Sequence, residues 1–219
     1  MFLSRVPLNG ARTGARRIFE SPQVAHAAVL AAFPPQPDSG AGRVLWRIDR
    51  RDHQVDLYVV SPAEPDFTHI VEQAGWPTTT AWTTRKYTPL LDRLEAGQRW
   101  HFRLTANPIR AALDRSVDAP LERGKPTGLT HTDQIHWLQK RAAPNGFTLG
   151  ASDSALDVVV SDRKTVRFRR RAATVTVSTA TYEGTLAVVD ADRLRYALTS
   201  GIGRAKAYGC GLLTLAPTQ

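Results

Sequence analysis

An order of strand, helix, strand, strand, helix, strand that recurs along the chain predicts an α+β fold of two tandem ferredoxin-like (RRM-like, βαββαβ) modules. Two further observations agree. The 219 residues, 42% of them hydrophobic, suffice for two small cores, and no low-complexity tract interrupts them. The expected division is 1–94 for the first module and 98–219 for the second.

The elements follow from local chemistry. Phe2 to Leu8 reads as a strand with an apolar face; Met1 to Arg17 is free of acids but lacks the apolar core of a secretory leader, and is expected to be mature protein. A loop holding Arg12, Arg16 and Arg17 comes next. Ser21-Pro22 then supplies a cap and a first-turn proline, predicting a helix through Val24, His26, Val29 and Ala31 that ends before Phe33-Pro34-Pro35. Arg43 to Ile48 and Val55 to Val60 read as strands around a polar turn, Pro65 to Gln73 as a helix, and Trp82 to Thr88 as a weaker strand.

The second module repeats the order. Gln98 to Ala106 is strand-like, and Thr132 to Ala142 has helical spacing at Ile135, Leu138 and Gln139. Leu156 to Val160 with Val166 to Phe168 reads as a basic hairpin. Val175 to Tyr182 and Thr185 to Val189 are β-prone, Asp190 caps a helix to Thr199, and Gly211 to Leu215 closes the unit. Between Asn107 and Thr130 no period is visible, and a mobile connection is expected.

Charge narrows the partners. A net charge of +9, from 29 Lys plus Arg against 20 Asp plus Glu, favours a polyanion through counterion release. No run of about 18 apolar residues is present, so no membrane span is expected. The lone Cys210 allows neither an internal disulfide nor a cysteine-based zinc cluster, which fits a reducing cytoplasm.

Three groups of residues could carry chemistry. In the first, Gly201, Gly203, Gly209 and Gly211 enclose Arg204 and Lys206; glycine permits positive φ, so successive N–H groups could converge on a phosphate beside two cations. A tight turn between the last helix and strand is the plainer alternative. A dinucleotide fingerprint is excluded because Lys206 stands where a third glycine would be needed, and a Walker loop because no Gly-Lys-Ser/Thr triplet occurs.

The second group is the run Arg167, Arg169, Arg170 and Arg171. On a strand Arg167, Arg169 and Arg171 share one face and Phe168 the other, projecting a row of guanidinium groups suited to phosphates. No interleaved aromatic signature for single-stranded RNA is present, so shape and charge point to structured RNA. The third is His26, one turn into a helix of small residues, with an imidazole able to exchange protons at phosphorus. From spacing alone a packed or surface histidine without a role is the better account. His131, Asp133 and His136 are ligand types, but a five-residue histidine separation does not place both rings on one helical face. A serine nucleophile elbow is absent.

Several segments in order resemble one family. Met1-Phe2-Leu3-Ser4-Arg5-Val6, Ser21 to His26 with Phe33-Pro34, Phe102 to Ile109, Gln134-Ile135-His136-Trp137-Leu138, Tyr182-Glu183-Gly184-Thr185-Leu186 and Gly201 to Pro217 resemble the CasE family of CRISPR-associated endoribonucleases, repeat-processing subunits of the type I-E Cascade complex. The resemblance implies a tandem ferredoxin-like protein, without metal or other cofactor. Such a protein would bind the CRISPR repeat hairpin, cut precursor RNA at the stem base through the substrate's 2′-hydroxyl, and partner other Cascade subunits rather than a membrane. It places His26 at the catalytic histidine and Arg169, Arg170 and Arg171 on the stem-gripping hairpin. Relatives often carry tyrosine three residues before the histidine; here Gln23 stands there and cannot exchange a proton near neutral pH. A non-catalytic RNA-binding scaffold and a metal-dependent nuclease using His131, Asp133 and His136 are the alternatives.

Overall fold

The computed structural model describes residues 1–34, 43–77, 81–109, 129–150, 157–170 and 173–218. Arg171, Leu156 and most of the aperiodic stretch after Asn107 lie outside these described residues. The first sheet contains β1 (Phe2–Leu8), β2 (Leu45–Arg51), β3 (Gln54–Ser61) and β4 (Thr83–Lys86) in the order β2-β3-β1-β4. The second contains β5 (Arg99–Ala106), β6 (Phe147–Leu149), β7 (Val158–Arg170), β8 (Ala173–Val188) and β9 (Leu213–Pro217) in the order β6-β8-β5-β9, with β7 also on β8. With β6 and β7 sharing the second-strand position, the two sheets have equivalent connectivity, that of a ferredoxin-like unit.

Helices α1 (Thr13–Glu20), α2 (Pro22–Leu30) and α3 (Thr68–Ala74) accompany the first sheet; α4 (Thr88–Asp92) follows β4, and α5 (His131–Ala142) and α6 (Ala191–Ser200) accompany the second. Among the described residues no helix is long and apolar enough to cross a membrane. Asp190 caps α6 by accepting from the Arg193 N–H at 3.0 Å, and Thr130 caps α5 by accepting from the Asp133 N–H at 3.2 Å.

The structure corrects the expected elements at three places. The loop holding Arg12, Arg16 and Arg17 becomes helix α1 from Thr13 on, with Arg12 at its N-cap; it has no side-chain cap and forms by burying Ala15 and Ile18. Gly14 lets α1 approach the Gln73 backbone of α3, where any Cβ would collide. Leu156 to Val160 and Val166 to Phe168 do not form a hairpin with each other. Val158 to Val160 and Val166 to Phe168 belong to one long strand, β7, which pairs with β8 across a register shift between Ser161 and Lys164. The two segments expected between Val175 and Val189 are likewise one strand, β8, while the short β6 carries too few residues to show a period.

Burial shows how the sheets meet. Alternation on β2 points Trp46 at the helices of the first module and sends Leu45, Arg47 and Asp49 to the opposite face. That face is covered by the second module, whose core takes in Leu45 and Val60. Both faces of β2 are therefore covered, and from Leu45 to Asp49 no position is exposed, although Arg47 and Asp49 are charged. Cys210 packs with Phe168 and Val177, and burial pushes its thiol up to about 12.

Candidate active site at the join of the two sheets

Helix α2 begins where its sequence puts it: Ser21 Oγ accepts from the Val24 N–H at 3.4 Å, and Pro22 occupies the first turn. Gln23 and His26, three residues apart, share a face and are both half-buried. The helix contacts the turn Lys206–Tyr208 of the second module and strand β7. His26 Nδ1 is buried and has no hydrogen-bond partner. Burial first, then the positive charges of Arg43 and Arg170, lower the imidazole pKa below its ordinary value. His26 is consequently held neutral at pH 7, the form able to accept a proton.

Two cations act on this ring, Arg43 before β2 and Arg170 at the end of β7, and a third, Lys206, opens the turn that α2 contacts; none pairs with a carboxylate among the described residues. Lys206 Nζ instead donates to the Ser200 carbonyl at 2.7 Å, at the end of α6, and burial followed by Arg43 lowers its own pKa. An uncompensated positive field around a neutral base suits a phosphodiester.

The basic strand reaches the site through packing. Residues 164–170 of β7 pair with 173–179 of β8, beyond the last β5 partner at Ala106, so the two strands continue as a ribbon past the sheet. Phe168 anchors the ribbon: its ring meets Tyr208 edge-on, with centroids 4.8 Å apart. Arg167 and Arg169 occupy the face opposite Phe168, as strand alternation requires, whereas Arg170 shares Phe168's side and acts on His26. The arginine run therefore has two directions.

The glycine-rich turn is explained largely by packing. Gly201, Gly203, Gly209 and Gly211 have φ of 76°, 84°, 78° and 90°. A Cβ at Gly201 would lie 2.9 Å from Leu45, and one at Gly209 would lie 2.8 Å from Trp46, so the turn straddles the start of β2. The expectation that all four amides face a phosphate is corrected for two of them. Gly201 N–H donates to Ala197 O at 2.9 Å and Gly211 N–H to Thr105 O at 2.7 Å, both within the fold. Arg204 and Lys206 diverge: Arg204 is exposed and acts on Arg141, which stacks over Trp137 at 4.0 Å.

The arginines of α1 are divided as well. Arg12 reaches the Gly75 carbonyl at 3.2 Å, closing the end of α3, and Arg16 donates to Gly10 O and Ala11 O. Arg17 is exposed. Sequence reading missed Arg43, because only tertiary contact brings it to His26. It also missed Lys164, which the bulge in β7 places at the foot of the ribbon.

A family model described as CRISPR associated protein matches residues 1–217. The chain belongs to this family. The CRISPR-associated endoribonuclease Cse3 of Thermus thermophilus is 29% identical over 225 residues, spanning 99% of this chain and 100% of the relative. The Cascade subunit CasE of Escherichia coli is 30% identical over 222 residues, with the same coverage. A solved structure of Cse3 bound to a 19-nucleotide RNA matches with a TM-score of 0.81 at 29% identity, over 99% of this chain and 100% of that one. This member of the CRISPR-associated protein family is thus of the CasE type, and its two antiparallel sheets with helices are the fold of those relatives.

The metal-ligand candidates of this family member do not converge. Asp133 caps its own helix with Thr130, and among the described residues no three His, Cys, Asp or Glu side chains form a group able to hold an ion.

Proposed function

We propose that this CRISPR-associated protein is a metal-independent endoribonuclease that binds the hairpin of a CRISPR repeat and cuts precursor RNA at the base of the stem. The observation that carries this reading is His26, a neutral imidazole with an unpartnered Nδ1 in the field of Arg43 and Arg170, on a helix that contacts the turn opened by Lys206. The 2′-hydroxyl beside the scissile phosphate attacks phosphorus, and its proton passes to His26. The P–O5′ bond breaks and the departing oxygen takes a proton, leaving a 2′,3′-cyclic phosphate and a 5′-hydroxyl. An RNA-specific nucleophile supplied by the substrate makes a metal unnecessary.

Gln23, on the same helical face, holds the hydroxyl or phosphate by hydrogen bonds without exchanging a proton. One imidazole then serves both proton transfers, and the three cations stabilise charge on the phosphorane. Arg167, Arg169 and Arg171 grip the stem while Arg170 turns to the cleavage site, with support for the grip from Arg16, Arg17, Arg204 and the remaining amides of the 201–211 turn. Residues 1–94 form the module with the histidine and 98–219 the module with the basic ribbon. The chain works with other Cascade subunits, as the name of the Escherichia coli relative suggests, and the reading places it in the cytoplasm.

Incubation with repeat RNA in EDTA, followed by mapping of product ends, tests this reading. Cyclic-phosphate and 5′-hydroxyl ends are expected, and loss of cutting in EDTA overturns it. Gln23 alone favours the second reading, a non-catalytic RNA-binding scaffold; tight binding without cleavage by the unmodified protein would establish that one.

A further inference from the structure

A recess beside the proposed cleavage site has no part in the chemistry described so far. It opens between the end of α1, the start of α2, the middle of β2 and the root of the ribbon, and encloses about 660 Å³ of space that includes open solvent. Its apolar walls include Phe19, Pro22, Trp46, Val177 and Tyr208.

Three features give the recess a chemical preference. The Arg50 guanidinium lies over the Phe19 ring at 4.5 Å, pairing a flat cation with an aromatic face. Trp46 is only 3% exposed and its Nε1–H has no acceptor, a donor that folding leaves unmatched. At the rim, the register shift in β7 presents Lys164 toward the same opening, loosely paired at 3.5 Å with the exposed Asp162 carboxylate, a partner that a phosphate would have to displace. Flat apolar walls, one buried donor and a rim cation suit a planar heterocycle attached to a phosphate. A folded peptide or an extended acyl chain would use none of these together.

We infer that the recess binds one unpaired nucleobase of the RNA, flipped out next to the scissile phosphate. The inference rests on the endoribonuclease reading above. Its location follows from the helix: Pro22 lines the recess and His26 lies one turn further along α2, about 6 Å away. Tyr208 and Gly209 line the same recess and belong to the turn that faces α2. The base stacks on Phe19 and Arg50 while its phosphate meets Lys164, so the recess selects the nucleotide that flanks the cut. A base still paired in the stem cannot enter, because its faces and edge are already occupied.

The test places single abasic riboses at each nucleotide on either side of the cut and measures single-turnover cleavage by the unmodified protein and by Phe19→Leu. One abasic position should slow the unmodified protein roughly tenfold or more. Phe19→Leu should slow cleavage of intact RNA by a similar factor, with no further loss on that abasic RNA. Separately, 2-aminopurine at that position of a 2′-deoxy, uncleavable RNA should change fluorescence on binding the unmodified protein but not Phe19→Leu, which separates occupancy from any folding defect. Normal cleavage of every abasic RNA, or losses that multiply in the combination, overturns the inference while leaving the endoribonuclease reading intact. Failure of the unmodified protein to cut intact repeat RNA overturns both.

Discussion

Arg47 and Leu212 are joined across the two sheets by a 2.9 Å hydrogen bond from the guanidinium Nη1 to the main-chain oxygen. The same nitrogen reaches Arg103 O at 2.9 Å, and Nε and Nη2 hold both oxygens of Asp49 at 2.6 and 2.8 Å. Arg47 is 2% exposed, so a charge that could sit in water is kept in the join between modules. Its value lies in geometry: it fixes the second module against β2, whose neighbours Leu45 and Trp46 seat the glycine turn. Arg47→Met is expected to cost about 3 kcal/mol in urea unfolding by leaving Asp49 with Arg103 alone, at 3.3 Å. Arg47→Met combined with Asp49→Leu should recover part of that loss; a strictly additive double variant argues against the pairing.

His26→Ala should reduce single-turnover cleavage of repeat RNA by at least about a hundredfold while the hairpin Kd stays within a few fold. Undiminished cutting by this variant removes His26 from the mechanism.

The His26 shift has a pH signature. Its folded pKa lies below the unfolded value near 6.5, so between the two the unfolded chain binds more protons than the native one. Stability through this group therefore rises with pH across that window and is constant above it. Histidine-selective NMR should show the low pKa in the free protein, and binding of uncleavable 2′-deoxy RNA should raise it by adding negative charge. A pKa at or above 6.5 in the free protein contradicts the site as described.

The two directions of the ribbon predict separable effects. Neutralising Arg167 and Arg169 should weaken hairpin binding and reduce the slope of log K against log salt by about 1.5. Arg170→Ala should raise the His26 pKa and slow cleavage more than it changes that slope. Equal effects of the two changes on cleavage and on salt dependence would refute the division.

Gly209 and Gly97 separate collision from conformation. Both have positive φ, 78° and 87°, but a Cβ at 209 meets Trp46 at 2.8 Å while one at 97 meets nothing within 4 Å. Gly97→Ala should cost about 1 kcal/mol from φ alone, and Gly209→Ala measurably more in the same denaturation assay. Equal losses would mean that Trp46 yields freely.

Local signals determined much of this protein. Ser21-Pro22 and Asp190 started helices that the structure confirms, the period-two pattern of residues 2–8 gave β1, and the recurring element order gave both ferredoxin-like units. These features act through neighbours within a few residues, and the chemistry of caps and pleats is written in order along the chain. Helix α1 was hidden because it lacks a side-chain cap and depends on Ala15, Ile18 and Gly14 meeting other elements. Only the tertiary structure decided that Arg170 turns toward His26 while Arg167 and Arg169 turn away, that Arg43 joins them, and that Gly201 and Gly209 fit the turn against Leu45 and Trp46 of β2. Each of these is a through-space relation between distant segments, fixed by burial and by the electrostatic field at the join, and neither quantity exists until the two sheets are packed together.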